Sequence, residues 1–151
     1  EVDDARAAVQ WLHQQPFVDP NRIYTFGHSI GGGVSAVLGL LDNVPIRHGG
    51  SSGGLYDHTT FLVWQIDETV PFKNSPKERS VRLLHGNVKH LQHPHYAYVG
   101  IEDVPFDESV TAMSQEPKGA HPLVIERVPG DHFSSFDESI RRYLKLTQQE
   151  R

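Results

Sequence analysis

The chain is expected to fold as an open parallel α/β sheet with helices on both faces, and three observations carry that expectation. Along the 151 residues, apolar positions switch repeatedly between helical spacing and short β-favouring runs. A glycine-rich corner, Gly27 to Gly33, separates one such run from the next helical stretch. Polar corners around Asp103 and around His132 leave two further runs in the same way. Strand and helix in alternation are the signature of a parallel sheet with right-handed crossovers.

The elements follow in order. Val2, Ala5, Val9 and Leu12 recur at three- and four-residue spacing, Asp3 and Asp4 suit a helix N-terminus, and Pro16 closes the helix. Asp19-Pro20-Asn21-Arg22 is a turn, and Ile23 to Phe26 a strand. Val34, Val37, Leu38 and Leu41 mark a second helix. A second strand is expected over Val44 to His48, with Pro45 tolerated near its start, and a loop over Gly49 to Gly54. Phe61 to Ile66 is apolar throughout, so periodicity leaves helix and strand both open. Asp67 to Arg79 is polar and reads as a surface excursion, and Val81, Leu84, Val88 and Leu91 have helical spacing. A strand over Tyr96 to Val99, a short helix around Val110 and Met113, and a strand over Leu123 to Val128 come next. The last helix opens on Ser135-Phe136-Asp137-Glu138, a capping-box pattern, with Phe136, Ile140, Tyr143 and Leu144 on one face. About four strands make a small sheet, which suggests one partial domain, 1–151, whose N-terminal strands lie elsewhere.

Composition narrows the function classes. Nineteen acidic side chains stand against fourteen basic ones, so no electrostatic footprint for nucleic acid or anionic membrane is present. The absence of cysteine rules out disulfides and thiolate metal sites. No apolar run approaches the roughly 18 residues of a membrane span. Neither oligomeric state nor compartment follows from the sequence.

Gly27-His28-Ser29-Ile30-Gly31 places a serine on a sharp strand-to-helix turn, which exposes its Oγ at the sheet edge. The flanking glycines are expected to avoid collision with the neighbouring strand and helix. The preceding strand and the small-residue helix Gly31, Gly32, Gly33, Ser35, Ala36 supply the context the motif needs. The N–H of Ile30, at the helix N-terminus, would be one oxyanion donor. Three similar patterns are weaker. Gly50-Ser51-Ser52-Gly53-Gly54 matches the same letters around Ser52, but no small-residue helix follows it. Gly31-x-Gly33-x-x-Ala36 matches a dinucleotide fingerprint, yet Gly31 does not end the strand. His85-Gly86 falls on the helical pattern and after the serine.

A nucleophilic serine needs a base and a carboxylate to orient it. His132, in Pro129-Gly130-Asp131-His132-Phe133, leaves a strand at its C-terminal end, where sites of open sheets gather. Asp103, in Gly100-Ile101-Glu102-Asp103-Val104-Pro105, does the same, and one helix and one strand fit between it and His132. Asp67 and Glu102 are the rival acids, and helix capping is the plainer use for Asp103. Asp131 reads as a turn residue. His85, His90, His93 and His95 lie close in sequence without zinc-helix spacing, so no metal is expected.

These residues together resemble the prolyl-oligopeptidase and dienelactone-hydrolase branch of the α/β-hydrolases. Val18-Asp19-Pro20-Asn21-Arg22-Ile23 leading into Gly27-His28-Ser29-Ile30-Gly31-Gly32, then Gly100-x-x-Asp103-x-Pro105 and Pro129-Gly130-Asp131-His132-Phe133, carry the likeness, while 49 to 95 match loosely. The resemblance implies cofactor-free hydrolysis of a small ester or peptide substrate through an acyl-enzyme, with Ser29, Asp103 and His132 as triad. It also implies a second oxyanion donor from a loop after an early strand, which is expected to lie outside residues 1–151. Residues 1–151 alone are therefore expected to be inactive or nearly so. A non-catalytic α/β module that keeps the serine turn, and a dinucleotide-binding domain, are the competing readings.

Overall fold

Hydrogen bonding joins the β-favouring runs side by side in chain order. In the computed structural model, which describes residues 1–63, 73 and 75–150, β1 (Tyr24–His28), β2 (His48–Ser52), β3 (His95–Gly100) and β4 (Leu123–Val128) form one sheet of order β1-β2-β3-β4. Every pairing is parallel, with Tyr24 opposite His48, Gly49 opposite His95, and His95 opposite Leu123. The helices are α1 (Val2–His13), α2 (Ile30–Leu38), α3 (His58–Val63), α4 (Pro76–Arg82), α5 (Val104–Ser114) and α6 (Phe136–Gln149), with a 3-10 turn at Val88–His90.

Helices cover both faces, as expected. Successive strand residues point to opposite sides, and β2 shows which helix lies where. Ser51 and Gly49 face α2: Cβ atoms on Gly32 and Gly49 would stand 3.0 Å from Ser51 Cβ and 3.2 Å from Ser35 Oγ. Gly50 faces α6, where a Cβ would stand 2.4 Å from the Tyr143 ring. On the α2 side, Ala36, Leu55, Leu84, Ala97, Val99, Phe106, Val110 and Met113 form the main core. Each large member contributes roughly 1.5–3 kcal/mol by leaving water. The apolar stripe of α1 packs beside it through Val9 on Ile23, Leu38, Val44 and Ile46. Under α6, Tyr98, Val128 and Tyr143 form a second layer. The Tyr143 hydroxyl reaches Thr25 O at 2.8 Å and His48 Nδ1 at 3.0 Å, pinning α6 to β1 and β2.

Three local expectations need correction, and a run left open between helix and strand is settled in part. The second strand is His48–Ser52, not Val44–His48: Val44 and Ile46 are spent in the α1 core, and the strand proper is built of small residues because α2 and Tyr143 press on its two faces. The stretch Val81 to Leu91 is not one helix. α4 is capped by Ser75, whose Oγ accepts from Glu78 N, and it runs only from Pro76 to Arg82. Gly86 then turns at φ +84°, so Leu83, Leu84 and Leu91 reach the core from irregular backbone and Val88 from the 3-10 turn. Ser135 precedes α6 without a side-chain cap, and the buried face of that helix is Ser139 and Tyr143, leaving Leu144 exposed. The apolar run Phe61 to Ile66 begins inside α3, which Asp57 caps by accepting from Thr60 N at 2.8 Å, and its end lies outside the described residues.

Candidate active site

The C-terminal ends of β1, β3 and β4 bring the three candidate side chains to one edge. Ser29 stands between β1 and α2 at φ 55°, ψ −119°. A non-glycine residue held there costs about 1–3 kcal/mol, and it persists only when its surroundings over-determine it. They do: Ser29 N donates to Ser52 O at 3.0 Å, while Ser29 O accepts from Gly33 N and Leu55 N, each at 3.1 Å. The turn closes because Gly27 has no side chain, since a Cβ there would stand 2.1 Å from Gly31 O. The second motif glycine behaves otherwise. Gly31 has open space, and the tight helix contacts belong to Gly32 against Gly54 Cα at 2.8 Å and Gly33 against Leu55 O at 2.6 Å. Ile30 opens α2, so its N–H has no acceptor within the helix and lies at the positive end of the helix dipole.

Asp103 and His132 meet across two turns that are hydrogen-bonded to each other. Ile101 N donates to Val128 O at 2.9 Å and Glu102 N to Gly130 O at 3.0 Å. A Cβ on Gly100 would stand 2.2 Å from Gly130 O, so this approach requires glycine. His132 Nδ1–H donates to Asp103 Oδ2 at 2.8 Å, with both side chains buried. An ionised carboxylate only accepts, so the bond assigns the proton to Nδ1 and makes Nε2 the ring's acceptor nitrogen. Asp103 occupies the N-cap position of α5 but makes no capping bond, because its carboxylate is turned to the histidine. Burial raises its pKa above the ordinary aspartate value, and the bond from His132 works against that rise.

The remaining candidates separate cleanly. Glu102 is exposed, and Asp67 lies outside the described residues. Asp131 is a turn residue, accepting at Oδ1 from Phe133 N, Ser134 N and Ser134 Oγ, which holds its pKa below the usual carboxylate range. Ser52 sits in β2 with Oγ buried and lends its carbonyl to Ser29. His85 lies beyond the end of α4 rather than on a helix. His95 is fully buried with Nε2 2.9 Å from Ser51 Oγ, and Ser51 also bonds the Tyr56 hydroxyl. Burial lowers the His95 pKa to about 3, so this ring is neutral. Among the described residues no three His, Asp or Glu side chains converge as a metal-ligand set, and no helix is long and apolar enough to cross a membrane.

Sequence reasoning missed Gly53. It follows β2 at φ +51°, and a Cβ there would stand 2.9 Å from His132 Nδ1 and 3.2 Å from Asp103 Oδ2. Its neighbours in Gly49 to Gly54 read as an ordinary loop, and only the spatial approach of the pair reveals its use.

A parallel sheet flanked on both faces, with a strained serine between strand and helix, defines the α/β-hydrolase fold. The chain superimposes on a puromycin-hydrolyzing peptidase from Mycobacterium tuberculosis with a TM-score of 0.70, at 22% identity over 93% of this chain and 23% of that one. For acetyl xylan esterase from Paenibacillus sp. R4 the TM-score is 0.67, at 16% identity over 96% and 51%. For Porphyromonas gingivalis dipeptidyl peptidase 4 it is 0.65, at 19% identity over 98% and 22%. The chain thus spans about half or less of the length of these three proteins. No curated protein matches it in sequence. The model of the prolyl oligopeptidase family matches residues 1–103, and the chain belongs to that family of serine hydrolases.

Proposed function

We propose that residues 1–151 are part of one catalytic domain that hydrolyses an ester or peptide bond of a small substrate through an acyl-enzyme, with Ser29, His132 and Asp103 as its triad. The observation that carries the reading is the buried 2.8 Å bond from His132 Nδ1 to Asp103, at the sheet edge that holds the strained Ser29. In the first step His132 Nε2 takes the proton of Ser29 Oγ as Oγ bonds to the substrate carbonyl carbon. The carbonyl oxygen gains the negative charge and accepts a hydrogen bond from the N–H of Ile30. Collapse expels the alcohol or amine, which leaves with the proton from His132. A water molecule then repeats the sequence, deprotonated by His132, and releases the acid and Ser29. Asp103 stays ionised throughout and stabilises the imidazolium that forms twice. No metal or organic cofactor enters these steps.

In the full-length protein, Ser29→Ala is expected to abolish turnover of a p-nitrophenyl ester and labelling by a fluorophosphonate. Unchanged turnover would overturn the proposal and leave the fold as a binding module that keeps the serine turn.

A further inference from the structure

The loop that follows β2, Gly53 to Leu55, touches both halves of the candidate site. Leu55 N donates to Ser29 O at 3.1 Å, and a Cβ on Gly53 would stand 2.9 Å from His132 Nδ1. Loops move more than the strands they leave, so this one needs a fixed point. Tyr56, the next residue, is buried and tied at both ends. Its carbonyl accepts from His85 N at 3.0 Å. Its hydroxyl is hydrogen-bonded to Ser51 Oγ of β2, and Ser51 Oγ to His95 Nε2 of β3 at 2.9 Å. The same nitrogen lies 3.4 Å from the tyrosine hydroxyl.

This cluster is not the most stable filling of its space. His95 Nδ1 has no hydrogen-bond partner among the described residues, and apolar groups of the same shape would avoid that cost. What a buried polar network adds is a single arrangement of the groups that share it. Burial raises the Tyr56 pKa above the ordinary phenol value, so the hydroxyl keeps its proton. The arrangement it fixes is that of the loop. A Cβ on Gly54 would stand 2.7 Å from the Tyr56 hydroxyl oxygen, and a Cβ on Gly32 2.8 Å from Gly54 Cα. Gly54 is thus clamped between the phenol and the first turn of α2, the helix that Ser29 opens.

We propose that Tyr56 is a positioning residue for Ser29: its moored phenol holds Gly54 and Leu55 where Leu55 N keeps the serine turn in its strained form. This inference rests on the triad reading above. Ser29 stays at φ 55° only while its surroundings over-determine it, and the bond from Leu55 N is one of those constraints. Without the hydroxyl the loop gains freedom and the turn relaxes. Oγ then leaves the geometry from which small displacements cost rate steeply.

The test compares full-length wild type, Tyr56→Phe and Val9→Ala, with folding followed by circular dichroism. Tyr56→Phe keeps the ring and removes only the hydroxyl. Val9 belongs to the α1 core, so its variant loses stability without touching the loop. Exchange of the Leu55 amide with solvent, taken relative to the amides of β4, is expected to quicken about tenfold in Tyr56→Phe and to stay unchanged in Val9→Ala. In Tyr56→Phe, kcat for a p-nitrophenyl ester and the rate of fluorophosphonate labelling are expected to fall about tenfold at nearly unchanged KM. Val9→Ala is expected to keep both. If Tyr56→Phe does not fold, Ser51→Ala takes its place with the same expectations, because it removes a partner of the hydroxyl. The inference is overturned by an unmoved Leu55 amide in the folded variant, by turnover and labelling equal to wild type there, or by an equal loss in Val9→Ala. Leu55 exchange needs no turnover, so it judges the hold of Tyr56 on the serine turn separately from Ser29→Ala, which judges the triad.

Discussion

Gly53 and His132 share the space of one side chain: a Cβ on Gly53 would stand 2.9 Å from Nδ1 of the histidine, the atom that donates to Asp103. The end of β2, which contributes no reacting group, is therefore shaped by the pair formed between β3 and β4. Gly53 also adopts φ +51°, a region that L side chains enter at a cost of roughly 1–2 kcal/mol.

Gly53→Ala is accordingly expected to displace His132 from Asp103. Turnover of a p-nitrophenyl ester by the full-length protein should fall by about 10²-fold, with a loss of at least ~1 kcal/mol in urea-measured stability. Activity within twofold of wild type would show that the pair has room the structure does not show.

Asp103→Asn separates activity from stability. An asparagine can still accept from a ring nitrogen, but it favours the wrong tautomer, and comparable changes lower kcat by about 10⁴-fold. Burial raises the Asp103 pKa, so the folded protein keeps this proton to higher pH than the unfolded chain, whose value is near 3.8. Stability falls as pH rises through the window between those two values, and the full cost stands at neutral pH. The variant should therefore melt no lower than wild type at neutral pH. Its advantage should shrink as pH drops through that window, which a series of thermal melts would reveal.

Acid sensitivity should trace in part to His95. With its pKa lowered from 6.5 to about 3, the folded protein refuses a proton that the unfolded chain accepts. Stability is lost as pH falls below 6.5 toward 3, at about 1.4 kcal/mol per pH unit. His95→Gln keeps a polar group near Ser51 without this titration. It should remove about 2 kcal/mol of the wild-type stability difference between pH 6.5 and about pH 5, measured by urea unfolding. An identical difference in the variant would assign the sensitivity elsewhere.

The glycines of α2 should respond in opposite directions. Gly31→Ala enters open space at helical backbone and is expected to stabilise by about 0.4–1 kcal/mol. Gly32→Ala meets Gly54 Cα at 2.8 Å and should destabilise by about 1–3 kcal/mol. Denaturant midpoints of the two variants decide the matter, and equal losses would contradict the packing of α2 on β2.

The turns that follow strands were legible because their chemistry is local. Gly27-x-Ser29 and Gly130-Asp131-His132 announce sharp corners through residue types that such corners need, and β4 agrees with its expected bounds, Leu123–Val128. β2 was misread because its residues, His48-Gly49-Gly50-Ser51-Ser52, lack β-branched side chains and strands are recognised by them. The spacing of Val81, Leu84, Val88 and Leu91 imitated one helix, since buried residues arriving from a turn can fall at helical intervals by position alone.

By itself the sequence determined the alternation of strands and helices and the serine corner, and it singled out His132 and Asp103 as the candidates to serve that corner. Each depends on interactions within a few residues, such as a glycine relieving a turn or an apolar stripe closing a helix. Only the tertiary structure decided that Gly49 to Ser52 form an inner strand of the sheet, that Gly32 rather than Gly31 bears the packing, and that Gly53 lies against His132. Those roles come from atoms far apart in the chain meeting at van der Waals distance, where a side chain's fitness is set by its neighbours rather than by its own propensity.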